Sequence, residues 1–371
     1  MQALRMIRFS FLAVAILFGG YVTAQHNDHL DVRLELLEVT QQPILGRDSP
    51  GAEEILWGFE GGFVTEENGL IHIFSTENYD NPKWVSTRFG HWTSEDGLHF
   101  ERQSTIFHPD SNALPAGVFT DMPWTPYPIY NEEEGRYNLF FVGYKSQVSH
   151  ENTNILRAAS QTPGHAGIGG PYEVLDVAMN HEGADPWEVK SALFFFPYRV
   201  GEEWRAFFGE NNYESRATAR FRAGLVRSKS LSGPWERMSH LNPVLMDDRF
   251  IENPVVFEVE PGVYVTFYDG ETVSGIAYAY SADGEHWTKE RNLWLDHPPT
   301  AWAWYMRTPL GIVKREGGGY WLYYTALDYE GFDPTDPNER PWYHRGFGTI
   351  GRIGVDIVIT REGDTEAEDG E

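Results

Sequence analysis

The chain has 371 residues, a formal net charge of −26 and no cysteine. A field of that sign repels nucleic acid and anionic membrane surfaces, so neither is an expected partner. Without cysteine the protein has no disulfide framework. Its stability has to come from the large core that a chain of this length can bury.

The N-terminal segment 1–24 has the features of a secretory signal peptide. Arg5 and Arg8 supply the positive charge, and the apolar run Phe11–Phe18 is too short to span a bilayer as a stable anchor. Small residues at 22–24 precede the predicted cleavage site. The mature protein is therefore expected in the periplasm or outside the cell, with no membrane insertion after cleavage.

From about residue 57 to residue 360 the sequence repeats one unit five times, at a spacing of about 50 to 65 residues. Each copy begins with a polar or aromatic residue, runs as an apolar strand, turns at Gly or charged residues and returns as an aromatic-rich strand. The copies begin near Glu60, Trp124, Glu188, Glu252 and Arg307.

This repeat predicts an all-β, five-bladed β-propeller, as a single domain over residues 25–360, followed by a disordered acidic tail over 361–371. A β-sandwich needs no repeated unit, and a β-helix would show a much shorter period. The segment Asp31–Val39 predicts one further strand, which closes the ring.

The innermost strand of each propeller blade borders a central channel, so polar residues at the starts of these strands are candidates for a shared pocket. Aromatic and acidic residues just upstream extend this set: Trp57, Asp121, Asp185 and Trp304. A satisfied ion pair inside the ring explains any one of the charged residues equally well. Several that converge favour a binding or catalytic site.

Three segments of the repeat are similar to motifs of a known enzyme group: Glu252-Asn253-Pro254, Asp185-Pro186, and Asp121 to Pro126 with the Gly135-Arg136-Tyr137 that follows. In this the chain resembles the five-bladed glycoside hydrolase superfamily, meaning family 43 and its relatives in families 32, 62, 117 and 137. The first blade departs from that pattern, with Glu60-Gly61-Gly62 where Asp-Pro is usual. The resemblance implies cleavage of glycosidic bonds and, from family 43, inversion of the anomeric centre.

Glycoside hydrolysis needs one protonated carboxylic acid and one ionised carboxylate, with pKa values pushed apart. We assign Glu252 as the general acid and Glu60 as the base or nucleophile. Either Asp185 or Glu188 tunes the acid and binds a sugar hydroxyl, and Glu188 with Glu252 is an alternative acid/base couple.

The remaining candidates are assigned to substrate binding. Lys190 and Arg307 bind hydroxyls or a carboxylate, and aromatic residues form stacking walls. The full predicted binding set is Trp57, Asp121, Trp124, Lys190, Trp304 and Arg307.

The function expected from these residues is an exo-acting glycoside hydrolase on plant or algal polysaccharide fragments. A lyase or dehydratase on uronic-acid oligosaccharides is an alternative, because Lys190, Arg307 and His181 could serve it. A non-catalytic sugar-binding propeller is another alternative.

No cofactor and no zinc site is predicted. A central structural cation stays open, with His344 as its one candidate ligand, although a packing role for that histidine is favoured.

Overall fold

The computed structural model describes residues 27, 29–110, 114–115, 118, 120–144, 153–189, 192–212, 220–247, 250–270, 275–295, 301–303, 305–328 and 346–362. The predicted signal peptide, Lys190, Trp304, His344 and residues 363–371 lie outside these ranges. No helix in the described ranges is long and apolar enough to cross a membrane.

Twenty strands in four sheets make up most of the described chain. The first strand in the chain is β1 (Leu30–Val39). The first group of four is β2 (Gly58–Glu67), β3 (Leu70–Asn78), β4 (Thr87–Ser94) and β5 (Glu101–Phe107). The second group is β6 (Met122–Asn131), β7 (Arg136–Tyr144), β8 (Asn154–Ser160) and β9 (Tyr172–Met179). The third group is β10 (Phe195–Val200), β11 (Glu203–Asn212), β12 (Arg220–Ser228) and β13 (Glu236–Arg237). The fourth group is β14 (Glu252–Glu260), β15 (Val263–Asp269), β16 (Gly275–Ser281) and β17 (Arg291–Trp294). The last strands are β18 (Tyr305–Lys314), β19 (Tyr320–Leu327) and β20 (Gly348–Arg361). Two short 3₁₀ segments lie at His165–Gly169 and Ala301–Ala303.

The first strands of the successive groups form a closed cycle. Strand β2 contacts β6, β6 contacts β10, β10 contacts β14, β14 contacts β18, and β18 returns to β2. The first and last groups share one sheet only through the parallel bridge between Gly58 and Gly348. The prediction of an all-β chain is confirmed, and the cyclic arrangement is β-propeller-like.

Strand β1 completes the last group. It pairs antiparallel with β20, from Leu30 opposite Arg361 to Val39 opposite Ile353. The predicted strand Asp31–Val39 is therefore confirmed, and pairing it with β20 covers an edge that would otherwise be open. Strand β20 continues to Arg361, so the regular structure extends one residue into the predicted tail.

The predicted turn between the first two strands of the repeat is present. Asn68 and Gly69 have φ values of 55° and 78°, the left-handed conformations that a two-residue type I′ hairpin turn requires. The third unit differs from its prediction. The repeat placed the start of this unit near Glu188, whereas its inner strand β10 spans Phe195–Val200. Side-chain contacts hold the segment before β10 at the outer edge of the third group.

A pair of buried histidines lies at the interface between the first and second groups. His72 Nδ1 and His91 Nε2 are 2.9 Å apart. The His91 ring stacks on Phe74 with a centroid distance of 4.5 Å, and a Cβ at Gly169 would contact His91 at 3.1 Å. Burial lowers the pKa of His72, and burial together with the neighbouring His72 lowers the pKa of His91 to about 3.

This pair is expected to make the protein acid-sensitive. Because the unfolded chain binds a proton near pH 6.5 and the folded His91 does not, stability is lost as the pH falls below that value. At pH 5 the expected loss is about 2 kcal/mol. Urea unfolding at pH 7 and pH 5 measures it. His91→Phe should flatten the pH dependence, and the exposed His29→Gln should not; equal slopes in all three proteins would contradict the assignment.

Candidate active site

The inner strands break register at corresponding places. Regular pairing is interrupted between Glu60 and Gly62, between Trp124 and Tyr127, and between Glu252 and Val255. Strand β18 has the same irregularity between Met306 and Pro309. In the first three bulges, the residues that follow Glu60, Trp124 and Glu252 have positive φ: Gly61 at 61°, Thr125 at 52° and Asn253 at 53°. A β-bulge turns the neighbouring side chain away from the regular alternation.

The bulges meet one another across the groups. A Cβ at Gly61 would lie 3.1 Å from Thr125 Cγ2 and 3.9 Å from Thr308 Cγ2. Asn253 Nδ2 donates to Thr308 Oγ1 at 3.5 Å, and Thr308 Oγ1 donates to Glu60 Oε1 at 3.4 Å. The starts of β2, β6, β14 and β18 therefore converge, as the repeat predicted.

Arg307 lies at the centre of this convergence. Its Nε is 2.7 Å from Glu60 Oε1, and its Nη2 is 3.3 Å from Glu252 Oε2 and 3.4 Å from Asp269 Oδ2. The side chains of Glu60 and Asp269 are 4% and 2% exposed, whereas those of Arg307 and Glu252 are 20% and 21% exposed. Glu252 and Arg307 are therefore the more accessible members of the cluster, and the carboxyl groups of Glu60 and Asp269 are the more deeply buried ones.

Three buried atoms of this cluster lack hydrogen bonds among the described residues. Glu60 Oε2 and Asp269 Oδ2 are buried without a hydrogen-bond partner among the described residues. Arg307 Nε contacts Glu60 as an ion pair by distance, but its N–H is not aligned for a hydrogen bond. Buried polar groups are rarely left in this state, and catalytic sites are among the exceptions.

Burial raises the pKa values of two acids in the cluster. Burial raises the pKa of Glu252, with Arg307 opposing the shift and the charge of Glu60 adding to it. Burial also raises the pKa of Asp269 well above its ordinary value, against the charge of Arg307 and assisted by Glu252 and Glu60. Glu252 consequently keeps its proton to a higher pH than an ordinary glutamic acid.

An aromatic wall, defined here as Trp57, Trp84 and Trp124, stands beside the acids. The rings of Trp84 and Trp124 stack with a centroid distance of 5.8 Å and an interplanar angle of 29°. Lys83 Nζ lies 4.6 Å from the Trp84 centroid and 5.8 Å from that of Trp57. Arg307 Cζ lies 5.9 Å from the same Trp84 centroid, so the wall borders the acid cluster directly.

Asp185 and Glu188 belong to a different cluster. Glu188 Oε1 and Oε2 accept hydrogen bonds from Arg237 Nε at 2.6 Å and Nη2 at 2.9 Å. Asp185 accepts one from Ser239 Oγ at 2.5 Å and a longer one from Asn242 Nδ2 at 3.4 Å. These contacts tie the segment before β10 to the outer edge of the third group. They argue against our assignment of either residue as the partner of Glu252.

Only some of the other predicted binding residues lie at the site. Trp57 and Trp124 lie in the aromatic wall, and Arg307 is central. Asp121 is exposed, and its main-chain N–H donates to the carbonyl of Tyr144 at 2.8 Å. The site also contains three residues that the sequence did not single out: Lys83, Trp84 and Asp269. A signal existed for Asp269, because antiparallel pairing puts the end of the second strand beside the start of the first, and Asp269 pairs with Glu252.

One group of side chains in the described residues has the spacing of metal ligands. Ligand atoms of His181, Glu188 and Glu210 all lie within 4.8 Å of one another. Both oxygens of Glu188 already accept hydrogen bonds from Arg237, whose positive charge disfavours a cation there.

Neither a protein-family model nor a curated protein matches the sequence. Solved structures match its fold. Zg3597, a family 117 glycoside hydrolase produced by the marine bacterium Zobellia galactanivorans, has a TM-score of 0.60 at 13% identity, covering 88% of this chain and 90% of that one. The BT0996 RGII complex has a TM-score of 0.59 at 12% identity, covering 88% of this protein and 93% of the other.

A family 43 enzyme gives a similar result. CoXyl43, a β-xylosidase/α-arabinofuranosidase from a compost microbial metagenome, has a TM-score of 0.56 at 13% identity, covering 90% of this chain and 97% of that one. The predicted resemblance to families 43 and 117 is confirmed at the level of the fold. At these identities a shared fold does not carry a shared function, which has to be argued from the site.

Proposed function

We propose that this chain is a glycoside hydrolase in which the five groups of strands are the blades of one propeller. The observation that carries the proposal is the contact of Glu60 and Glu252, from different blades, with the same arginine. Glu60 forms an ion pair with Arg307, while burial raises the pKa of Glu252. A glycosidase needs this division between an ionised carboxylate and a protonated acid.

In this mechanism Glu252 protonates the leaving-group oxygen, and Glu60 activates water or attacks the anomeric carbon. Asp269 takes the tuning role that the sequence suggested for Asp185 or Glu188, because it is the buried carboxyl group paired with Glu252 across the strands. Arg307 orients the three carboxyl groups. The aromatic wall provides flat apolar faces on which a sugar ring can stack.

The proposed substrates are plant or algal polysaccharide fragments, cleaved from one end. The experiment is a screen of arabinan, xylan, pectin and algal oligosaccharides, with anomer-resolved NMR of the products. Release of a new reducing end, lost in Glu252→Gln, supports the proposal, and the first anomer formed distinguishes inversion from retention. Tight sugar binding with no turnover of any substrate would instead indicate a non-catalytic sugar-binding propeller.

The tuning role of Asp269 predicts a change in the pH profile. Glu252 and Asp269 act as a pair of acids, because the negative charge of Glu252 opposes loss of the proton from Asp269 and the last proton of the pair is therefore held to a higher pH. Asp269→Asn leaves Glu252 as the single acid of the pair, so its proton should be lost at a lower pH. The alkaline limb of the pH profile of kcat/KM should therefore move to lower pH, by about one unit. The profile of the exposed Asp356→Asn serves as the control. A uniform loss of activity without displacement of the limb would assign Asp269 a purely structural role.

A lyase or dehydratase acting on uronic-acid oligosaccharides is the second candidate. It is favoured by Lys83, whose pKa burial lowers to about 8, beside Arg307. Such an enzyme uses one basic group to remove a proton and cationic groups to neutralise the sugar carboxylate. Its product is unsaturated and absorbs in the ultraviolet, whereas hydrolysis gives a saturated sugar with a new reducing end, so the same screen separates the two reactions.

A further inference from the structure

The loop between β3 and β4 places two side chains, Lys83 and Trp84, at the site. Its conformation is fixed by hydrogen bonds at both ends: Trp84 N donates to Asn78 Oδ1 at 3.0 Å, and Trp57 Nε1 donates to Asn81 Oδ1 at 3.1 Å. Lys83 Nζ also donates to the carbonyl of Gly346. The loop therefore presents both residues in a preformed arrangement.

Trp84 is in an unusual backbone conformation. Its φ is 71°, in the left-handed region that bulky residues rarely adopt. Strain of this kind persists only where the surroundings enforce it, and it is concentrated at binding and catalytic sites. In this protein it aims the indole ring at Trp124, with Arg307 against the same ring.

Two cations lie near this ring. The charged ends of Lys83 and Arg307 both lie within 5.9 Å of the Trp84 centroid. The positive charge of Arg307 disfavours the charged form of Lys83, while the carboxylates of Glu60 and Asp328 favour it. An oxyanion bound by both cations would offset the repulsion and accept charge-assisted hydrogen bonds, which are roughly twice as strong as neutral ones.

We propose that Lys83, Arg307 and Trp84 form a subsite for a sugar that carries an acidic substituent, either the carboxylate of a uronic acid or a sulfate ester. The inference rests on the proposed function and names the substrate class of that same site. The strongly negative charge of the whole chain does not prevent it, because charges beyond about 8 Å are largely screened at physiological ionic strength.

Equilibrium binding tests the subsite without requiring turnover. Isothermal titration calorimetry would compare galactose, galacturonic acid and galactose 6-sulfate, and the corresponding glucose series. The wild-type protein is expected to bind an acidic sugar at least about tenfold more tightly than its neutral counterpart, a difference of about 1.4 kcal/mol. A higher affinity for the carboxylate or for the sulfate identifies which acidic group the subsite binds.

Lys83→Met should lower the affinity for the acidic sugar by about tenfold, more than the affinity for the neutral sugar, and so remove this preference, whereas Lys83→Arg should keep it. The exposed Lys314→Met is the matched control. Equal affinity for acidic and neutral sugars in the wild type would overturn the proposal, as would an equal loss of both in Lys83→Met. The hydrolysis screen on the same preparations is independent: an acid-selective binder without turnover refutes the hydrolase and keeps the subsite, and a hydrolase without acid selectivity does the reverse.

Discussion

Replacing Glu252 with glutamine is expected to reduce kcat for a natural glycoside by about 10²- to 10⁴-fold, the usual contribution of a general acid. Glutamine keeps the shape of the side chain but cannot protonate the leaving oxygen. The loss should be far smaller for an aryl glycoside whose leaving group departs without protonation. Steady-state kinetics on the two substrates measure both effects.

Two comparisons make this result specific to an acid role. Glu258→Gln changes an exposed glutamate on the same strand and should leave kcat unaltered. Glu60→Gln removes the base or nucleophile, so it should slow both substrates alike. Near-full activity of Glu252→Gln on the natural glycoside would refute the assignment of Glu252.

Replacing Arg307 with methionine is expected to lower the free energy of unfolding by about 3–5 kcal/mol, the usual result of removing one partner of a buried ion pair. Three carboxyl groups, those of Glu60, Glu252 and Asp269, would lose the same positive charge. Arg307 opposes the rise that burial causes in the pKa of Glu252 and of Asp269, so in the variant both values should rise further above those of the unfolded chain. The destabilisation should therefore be largest near neutral pH and shrink as the pH falls.

Urea unfolding of both proteins at pH 7 and pH 5 measures this difference. Arg315→Met is the control, because Arg315 pairs with Glu38 at a partly exposed position, where an ion pair contributes about 0–1 kcal/mol. A destabilisation of Arg307→Met that stays constant over this pH range would mean that lost packing, rather than the unpaired carboxyl groups, is responsible.

The repeat predicted the architecture well because strand order and strand faces are local properties. Apolar residues among charged ones predicted the strand β1, and Asn68-Gly69 predicted a turn. The convergence of Glu60, Glu252 and Arg307 follows from where each unit begins. Equivalent positions in a cyclic repeat face the same axis. The repeat alone therefore predicted that residues far apart in the sequence lie close together in the fold.

The same argument failed in the third unit. The repeat aligned Glu188 with Glu252, but Glu188 is bound by Arg237, 49 residues further along the chain, and β10 begins only at Phe195. Nothing near Glu188 in the sequence indicates that Arg237, on a distant strand, binds its carboxylate. The position of the acid was predictable from the pattern, and its partner was not.

The sequence by itself determined that the chain is all-β, that it repeats, and which end of the inner strands carries the polar residues. Only the tertiary structure decided the composition of the site: Asp269 beside Glu252, and Lys83 and Trp84 beside Arg307. The physical reason is the separation along the chain over which each kind of interaction acts. Alternation and turn chemistry act over a few residues, whereas the contact between Thr308 and Glu60 joins positions 248 residues apart and exists only when the ring closes.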